Sequence, residues 1–204
     1  MTNLMRHLCN VGRNSRGAAG LEAAIVLPLF IFFIIGIVEL YQQYRTQGII
    51  DQAAATIAHS VSQQNALHAN GSCTVANNVC VYGAIAQQVF SPLDFDGNGR
   101  VVVSVYEAEP VSGGPGFVWA LDNIRGWTRS YPSAGLSHPN VGRMTDFPPA
   151  RGGQTLIVVE TVYQFTPFVL SGKFWELATG NKTLYSRAVA SPMYGDLRIL
   201  RPNP

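Results

Sequence analysis

The chain has little charge, few cysteines and no recognisable catalytic signature. Lys and Arg number 14 and Asp and Glu 12 among 204 residues, leaving a formal net charge of +2. That balance, with no basic cluster and no basic stripe interleaved with aromatics, argues against a nucleic-acid partner. There is no Gly-x-Ser-x-Gly elbow, no His-Glu-x-x-His and no phosphate-binding loop, so neither an enzyme nor a cofactor is expected. Acidic residues are missing altogether ahead of Glu22, although Arg6, Arg13 and Arg16 stand there.

That asymmetry flanks the longest hydrophobic run. Ala23 to Val38 carries no charge, and as a helix it reaches about 24 Å. Adding Ala18 to Leu21 and Leu40 to Tyr41 fills a hydrocarbon core of roughly 30 Å. Basic residues before the run hold the N-terminus in the cytoplasm, so everything beyond Tyr41 is exported, with Tyr41 and Tyr44 at the outer headgroup level. A cleaved secretory signal fits poorly. The run exceeds the usual length of about 7 to 15 residues, and Val38-Glu39-Leu40-Tyr41 lacks a small-x-small cleavage site.

Helical periodicity continues past the membrane surface. Ile49, Ile50, Ala53, Ala54, Ile57, Ala58 and Val61 recur on one face, with Gln52, Thr56, His59, Ser60 and Gln63 on the others. One helix from about Ala18 to about Gln64 would be roughly 70 Å long. Pro28 lacks an amide hydrogen and is expected to kink it.

An ionised carboxylate at the hydrocarbon edge is costly, which makes Glu22 a functional candidate. In Arg16-Gly17-Ala18-Ala19-Gly20-Leu21-Glu22 the acid is the fifth residue after Gly17, and Ala23-Ala24-Ile25-Val26-Leu27-Pro28-Leu29 follows. This stretch resembles type IV pilin-like proteins, and among them the TadE-like pseudopilins of tight-adherence (Flp) pili. Their pattern is Arg-x-Gly-Ala-x-x-x-Glu before an aliphatic run with an early proline; here the Arg abuts the Gly. The resemblance implies cutting by a prepilin peptidase between Gly17 and Ala18, and a role for Glu22 in processing or subunit docking. Glu22-Ala23, where major pilins often have Glu-Tyr, fits a pseudopilin. Tyr163-Gln164-Phe165-Thr166-Pro167 looks similar much less specifically. Physically, Glu22 could neutralise the freed α-amino group of a neighbouring subunit, because pairing offsets desolvation only when both partners are present.

The exported part is long enough for one core. Cys9 would leave with the leader, whereas Cys73 and Cys80 would meet an oxidising compartment and are expected to form a disulfide. Val81 to Phe90 reads as a short helix with Val81, Ile85, Ala86, Val89 and Phe90 on one face. Val101 to Glu107, Gln154 to Phe165 and Thr183 to Ser191 read as strands. Gly113 to Arg151, rich in Gly, Pro and Ser and carrying Trp119 and Trp127, reads as an irregular excursion with one short helix near Leu121 to Trp127, and as a candidate partner surface.

Asp94, Asp96 and Asn98 occupy positions 1, 3 and 5 of an EF-hand-like loop, with Gly99 at position 6, but Val105 stands where the bidentate Glu belongs. An Asp/Asn/Gly turn is the favoured reading, with weak calcium binding as the alternative and no other metal expected. Ser137 and His138 are sequence neighbours in a proline-flanked loop and do not make a catalytic pair. His7, His59 and His68 are solitary, and Glu107, Glu109, Asp122, Asp146, Glu160, Glu176 and Asp196 are scattered.

The expected fold is therefore α+β: a long N-terminal transmembrane helix continuing into an exported domain whose antiparallel β-sheet packs on the helix. The expected organisation is a cytoplasmic prepilin leader over 1–17, the long helix over 18–64 with its membrane segment at about 18–41, and an exported domain over 65–204. The expected role is that of a non-enzymatic minor pilin or pseudopilin in a bacterial inner membrane, single-pass with the N-terminus cytoplasmic. Its partners would be a prepilin peptidase, other pilins or pseudopilins, the assembly platform and the lipid bilayer. An uncleaved, membrane-anchored envelope or ligand-binding protein is the alternative, and an anchored hydrolase a more distant one.

Overall fold

The computed structural model describes residues 15–69, 77–121, 126–132, 136–166, 182–194 and 197–199. It opens with helix α1 (Ser15–Ser62), followed by α2 (Val81–Phe90), a single turn α3 (Phe95–Asn98), and strands β1 (Gly99–Pro110), β2 (Phe117–Ala120), β3 (Trp127–Tyr131), β4 (Thr155–Phe165) and β5 (Lys182–Ala190). The architecture is α+β, with an antiparallel sheet packed on the long helix, as the residue pattern predicts.

α1 is one continuous helix of 48 residues running through Pro28, about 72 Å at the standard rise. Its halves have opposite surroundings. Leu21, Phe30 and Ile37 are each more than 60% exposed, whereas Ile50, Ala53, Ala54, Ile57 and Val61 are completely buried. The buried residues are those of the predicted apolar face; Ile49, at its edge, is half-buried. Three alanines, at 53, 54 and 58, let the helix backbone approach the sheet closely.

The sheet runs β2-β1-β4-β5, with β3 on the same edge of β1 as β2. β1 pairs with β3 through Val101 to Val105 and with β2 through Glu107 to Pro110, so two short strands share one long edge. Along β1 and β4, side chains alternate between two covered faces. Val101, Val103, Val105, Ile157, Val159 and Tyr163 join the helix-side core. Tyr106, Leu156 and Val158 face the other way and are covered by Trp119 and Phe147. Because both faces are buried, β1 and β4 read as near-continuous apolar runs.

Polar contacts fix the helix on the sheet. Thr161 Oγ1 donates to the Ile50 carbonyl at 3.1 Å, and Gln47 Nε2 to the Tyr185 carbonyl at 3.1 Å. The Met193 amide donates to the Ser62 carbonyl at 2.8 Å, satisfying one of the carbonyls a helix leaves open at its end. Trp127 Nε1 donates to the Leu197 carbonyl at 2.8 Å, drawing the chain after β5 beneath the sheet edge.

The excursion from Gly113 to Arg151 contains two short strands, β2 ending at Ala120 and β3 opening at Trp127. The short helix expected near Leu121 to Trp127 falls on residues 122–125, which lie outside the described residues. The free long edge of β1 offers both strands a backbone ladder.

Candidate functional site

Gly17 and Ala18 lie within α1, and Glu22 follows two turns after its start. Glu22 is exposed, between Leu21 at 68% and Ile25 at 65% exposure. Among the described residues it has no ion-pair or hydrogen-bond partner. From Glu22 to Ile50, where the core begins, the helix rises about 42 Å, so among the described residues only Gly17 and Ala18, about one turn away on the same helix, are candidate residues near the acid. The arrangement is an isolated carboxylate near one end of a bare apolar helix. Burying it as a charge calls for a partner that the described residues do not supply.

The apolar window around it is entirely unburied. A surface of this size, with Phe30, Ile31, Phe32, Phe33 and Ile34 all exposed, is not left facing water in a stable soluble domain. It fits a single-pass membrane anchor.

The other candidates are dispersed. Asp94 caps α3, its Oδ1 accepting from the Gly97 amide at 3.1 Å and its Oδ2 from Asn98 Nδ2 at 3.2 Å. Asp96 turns away, accepting from Gln87 Nε2 at 2.8 Å. The segment is thus a capped helical turn that seats Phe95 against Phe90, ring centroids 4.8 Å apart, rather than an open loop of converging oxygens. Gly99 is needed because a Cβ there would strike the Phe95 ring and come within 2.9 Å of the Phe95 carbonyl. Among the described residues no three His, Cys, Asp or Glu are placed to hold a metal ion.

His138 stacks on Tyr185 at 4.7 Å, and its Nδ1 accepts from the Asn140 amide, while Ser137 is exposed. Glu107 pairs with Arg198 at 2.7 Å. The expected Cys73–Cys80 pairing involves Cys73, which lies outside the described residues. Cys9, Asp122, Glu176 and Asp196 lie there too, as does the leader up to residue 14.

The sequence reading missed a charged cluster on the outer face of the sheet. Glu160, completely buried, accepts from Tyr185 Oη at 2.6 Å, from Arg187 Nη2 at 2.9 Å and from the Gly142 amide at 2.9 Å. Arg187 also donates to the Asn140 carbonyl at 2.7 Å and lies over the Phe147 ring at 5.1 Å. Burial and the adjoining Glu160 carboxylate push the Tyr185 phenol well above its ordinary range. Burial, the largest single influence, would lower the Arg187 pKa, but the hydrogen bonds and charges of Glu160 and Tyr185 together outweigh it and raise it. The cluster pins the segment around 140–147 over the sheet. Its one sequence signal is a lone acid inside the apolar strand Leu156-Ile157-Val158-Val159-Glu160-Thr161-Val162.

The model of the TadE-like protein family matches residues 17–59. The chain carries a TadE-like N-terminal helix. The matched segment takes in the bare half of α1, Glu22, and most of the half that enters the domain core. No curated protein and no solved structure matches the chain.

Proposed function

We propose that this chain is a non-enzymatic pseudopilin, or minor pilin, of a tight-adherence pilus system. The TadE-like family suggests involvement in that system, and one observation carries the finer reading. A single helix presents an isolated acid and a bare apolar surface at one end, and at the other forms the spine of a folded domain. The chain enters the inner membrane with its arginine-rich end in the cytoplasm and its domain outside. A prepilin peptidase cuts between Gly17 and Ala18. Glu22 then docks on the freed amino terminus of a neighbouring subunit while the domain is carried on the outside of the assembly. The buried Ile50 to Val61 face makes helix and domain one mechanical unit, so a force applied to the membrane half is transmitted to the domain without a flexible joint.

The test is N-terminal mass spectrometry of the protein from its native membrane, wild type beside Glu22→Ala. A mature chain beginning at Ala18 supports the pseudopilin reading, and the variant then separates a cleavage role for Glu22 from a docking role. A chain still beginning at Met1, in cells with an active peptidase, overturns processing and leaves an uncleaved envelope protein.

A further inference from the structure

A cavity of about 260 Å³ lies where the bare half of α1 gives way to the domain. Gln42, Arg45 and Thr46 form its polar side, and Leu93, Tyr163 and Phe165 belong to its apolar side. The three polar residues stand at i, i+3 and i+4 and therefore share one helix face. Thr46 is only 5% exposed, and among the described residues its side chain makes no hydrogen bond. Its hydroxyl is therefore open to donate to an acceptor in the cavity that it lines. Arg45 is exposed and makes no ion pair among the described residues, and the Gln42 side chain makes no hydrogen bond there. Among the described residues no carboxylate lines the cavity. Glu39, one turn nearer the bare half, is buried and has a partner of its own.

Height along the helix identifies the acceptor. Gln42 to Thr46 lie about 1.5 to 8 Å beyond Tyr41 at the helical rise. The polar layer on each side of the hydrocarbon is roughly 5 to 8 Å deep, so these donors sit at the level of lipid phosphates. Val38 and Ile34, one and two turns below Gln42, are both close to half-exposed and apolar, a track for an acyl chain.

Resting on the membrane-anchored reading above, we propose that this cavity is a phospholipid headgroup site in the outer leaflet. The phosphate accepts from Arg45, Gln42 and Thr46, the glycerol packs on the Leu93 and Phe165 side, and the acyl chains descend past Val38 and Ile34. Arg45 suits the task because its planar guanidinium matches phosphate oxygens in a bidentate fork. A bound lipid would fix the depth and rotation of α1 where it enters the domain.

The experiment is native mass spectrometry of the full chain released from nanodiscs containing phosphatidylglycerol and phosphatidylethanolamine. Wild type, Thr46→Val, Arg45→Lys and the double variant Arg45→Ala/Thr46→Val are compared, each with its domain melting curve. The wild type is expected to retain one phospholipid, Arg45→Lys to retain part of it, and the double variant to lose retention at least tenfold with an unchanged melt. Should the double variant melt early, Thr46→Val decides alone. Equal retention by wild type and Thr46→Val, or full displacement by millimolar inorganic phosphate, overturns the lipid site. Alkaline carbonate extraction separates the two failures. A chain washed out of membranes removes the anchor, whereas a chain that stays but binds no lipid removes only the headgroup site.

Discussion

The two halves of α1 are both apolar, and the contrast lies in how the apolar residues are distributed. Between Leu21 and Val38 they occupy every side of the helix and, Ile35 apart, all remain exposed. Between Ile50 and Val61 all but the small Ala55 keep to one face, which is buried, while Asp51, Gln52, Thr56 and His59 stay exposed. A lipid environment is the same on all sides and imposes no face; a sheet lies on one side only and does. Residue size differs for the same reason. Bulky Phe, Ile and Leu suit a surface that hydrocarbon will cover, whereas Ala53, Ala54 and Ala58 permit close approach to a strand.

One substitution made in both halves should break the symmetry of composition most visibly. Ile57 is completely buried, so Ile57→Asp removes its apolar burial and places an unpaired carboxylate in the core. The expected loss exceeds about 5 kcal/mol, enough to unfold a domain of ordinary stability. Ile34, 47% exposed, predicts the opposite for Ile34→Asp. The domain should melt as wild type, while membrane retention falls, since a mid-membrane acid costs about 2.5 to 3.5 kcal/mol on insertion scales. Thermal melting in detergent and alkaline extraction of membranes read the two effects separately. Equal damage to the melt from both variants would mean that the bare half also stabilises the domain.

A smaller effect should localise stability that the helix does not supply. Arg187→Ala leaves Glu160 buried without its cation and should cost about 3 to 5 kcal/mol, measured by chemical denaturation. Asp146→Ala, which removes a partner 80% exposed at 3.8 Å, should cost less than about 1 kcal/mol. If the segment around 140–147 is held mainly by this cluster, Arg187→Ala should also speed amide exchange at Gly142, whose N–H donates to Glu160.

What could be read from the sequence follows the same division. The paired apolar positions from Ile49 to Val61, the helix from Val81 to Phe90 and the three long strands are carried by local periodicity, which one chain segment displays alone. β2 and β3 have no such signature. Phe117-Val118-Trp119-Ala120 is short and partly exposed, and it is a strand because the upper edge of β1 pairs with it. The Glu160 cluster is hidden for a related reason. Glu160 and Arg187 are far apart in sequence and become neighbours only through the β4–β5 register, in which they stand directly opposite. For the candidate site, Glu22 could be identified from its place before the apolar run, because its meaning depends on local context. Thr46 could not, since its significance comes from a cavity whose other wall is contributed by distant parts of the chain.

Alkaline titration should sharpen the contrast further, because its targets all lie on the domain side. Burial raises the phenols of Tyr82, Tyr106, Tyr163 and Tyr185 above the usual value of 10.0, and pushes Tyr131 up to about 12. A folded-state pKa raised above the unfolded one gives stability that is complete below the unfolded value and declines as pH climbs toward the folded one. The melting temperature should therefore hold steady up to about pH 10 and fall beyond it. Tyr185→Phe should soften that fall while lowering stability at neutral pH through the lost bond to Glu160. A melting curve that declines already below pH 9 would point to another group.

The smallest expected effect concerns the turn before β1. Asp94→Ala removes a cap whose two oxygens serve the Gly97 amide and the Asn98 side chain, for an expected cost of about 1 kcal/mol. Asp96→Ala removes only the bond to Gln87 and should cost less. Calcium distinguishes a cap from an ion site. A cap already satisfied by protein donors gains nothing from the ion, so millimolar calcium should leave the melt of wild type and Asp94→Ala unchanged. A rise in melting temperature confined to the wild type would mean that Asp94 gives up its amide for the metal. The turn would then be a calcium-responsive element between Phe95 and the first strand.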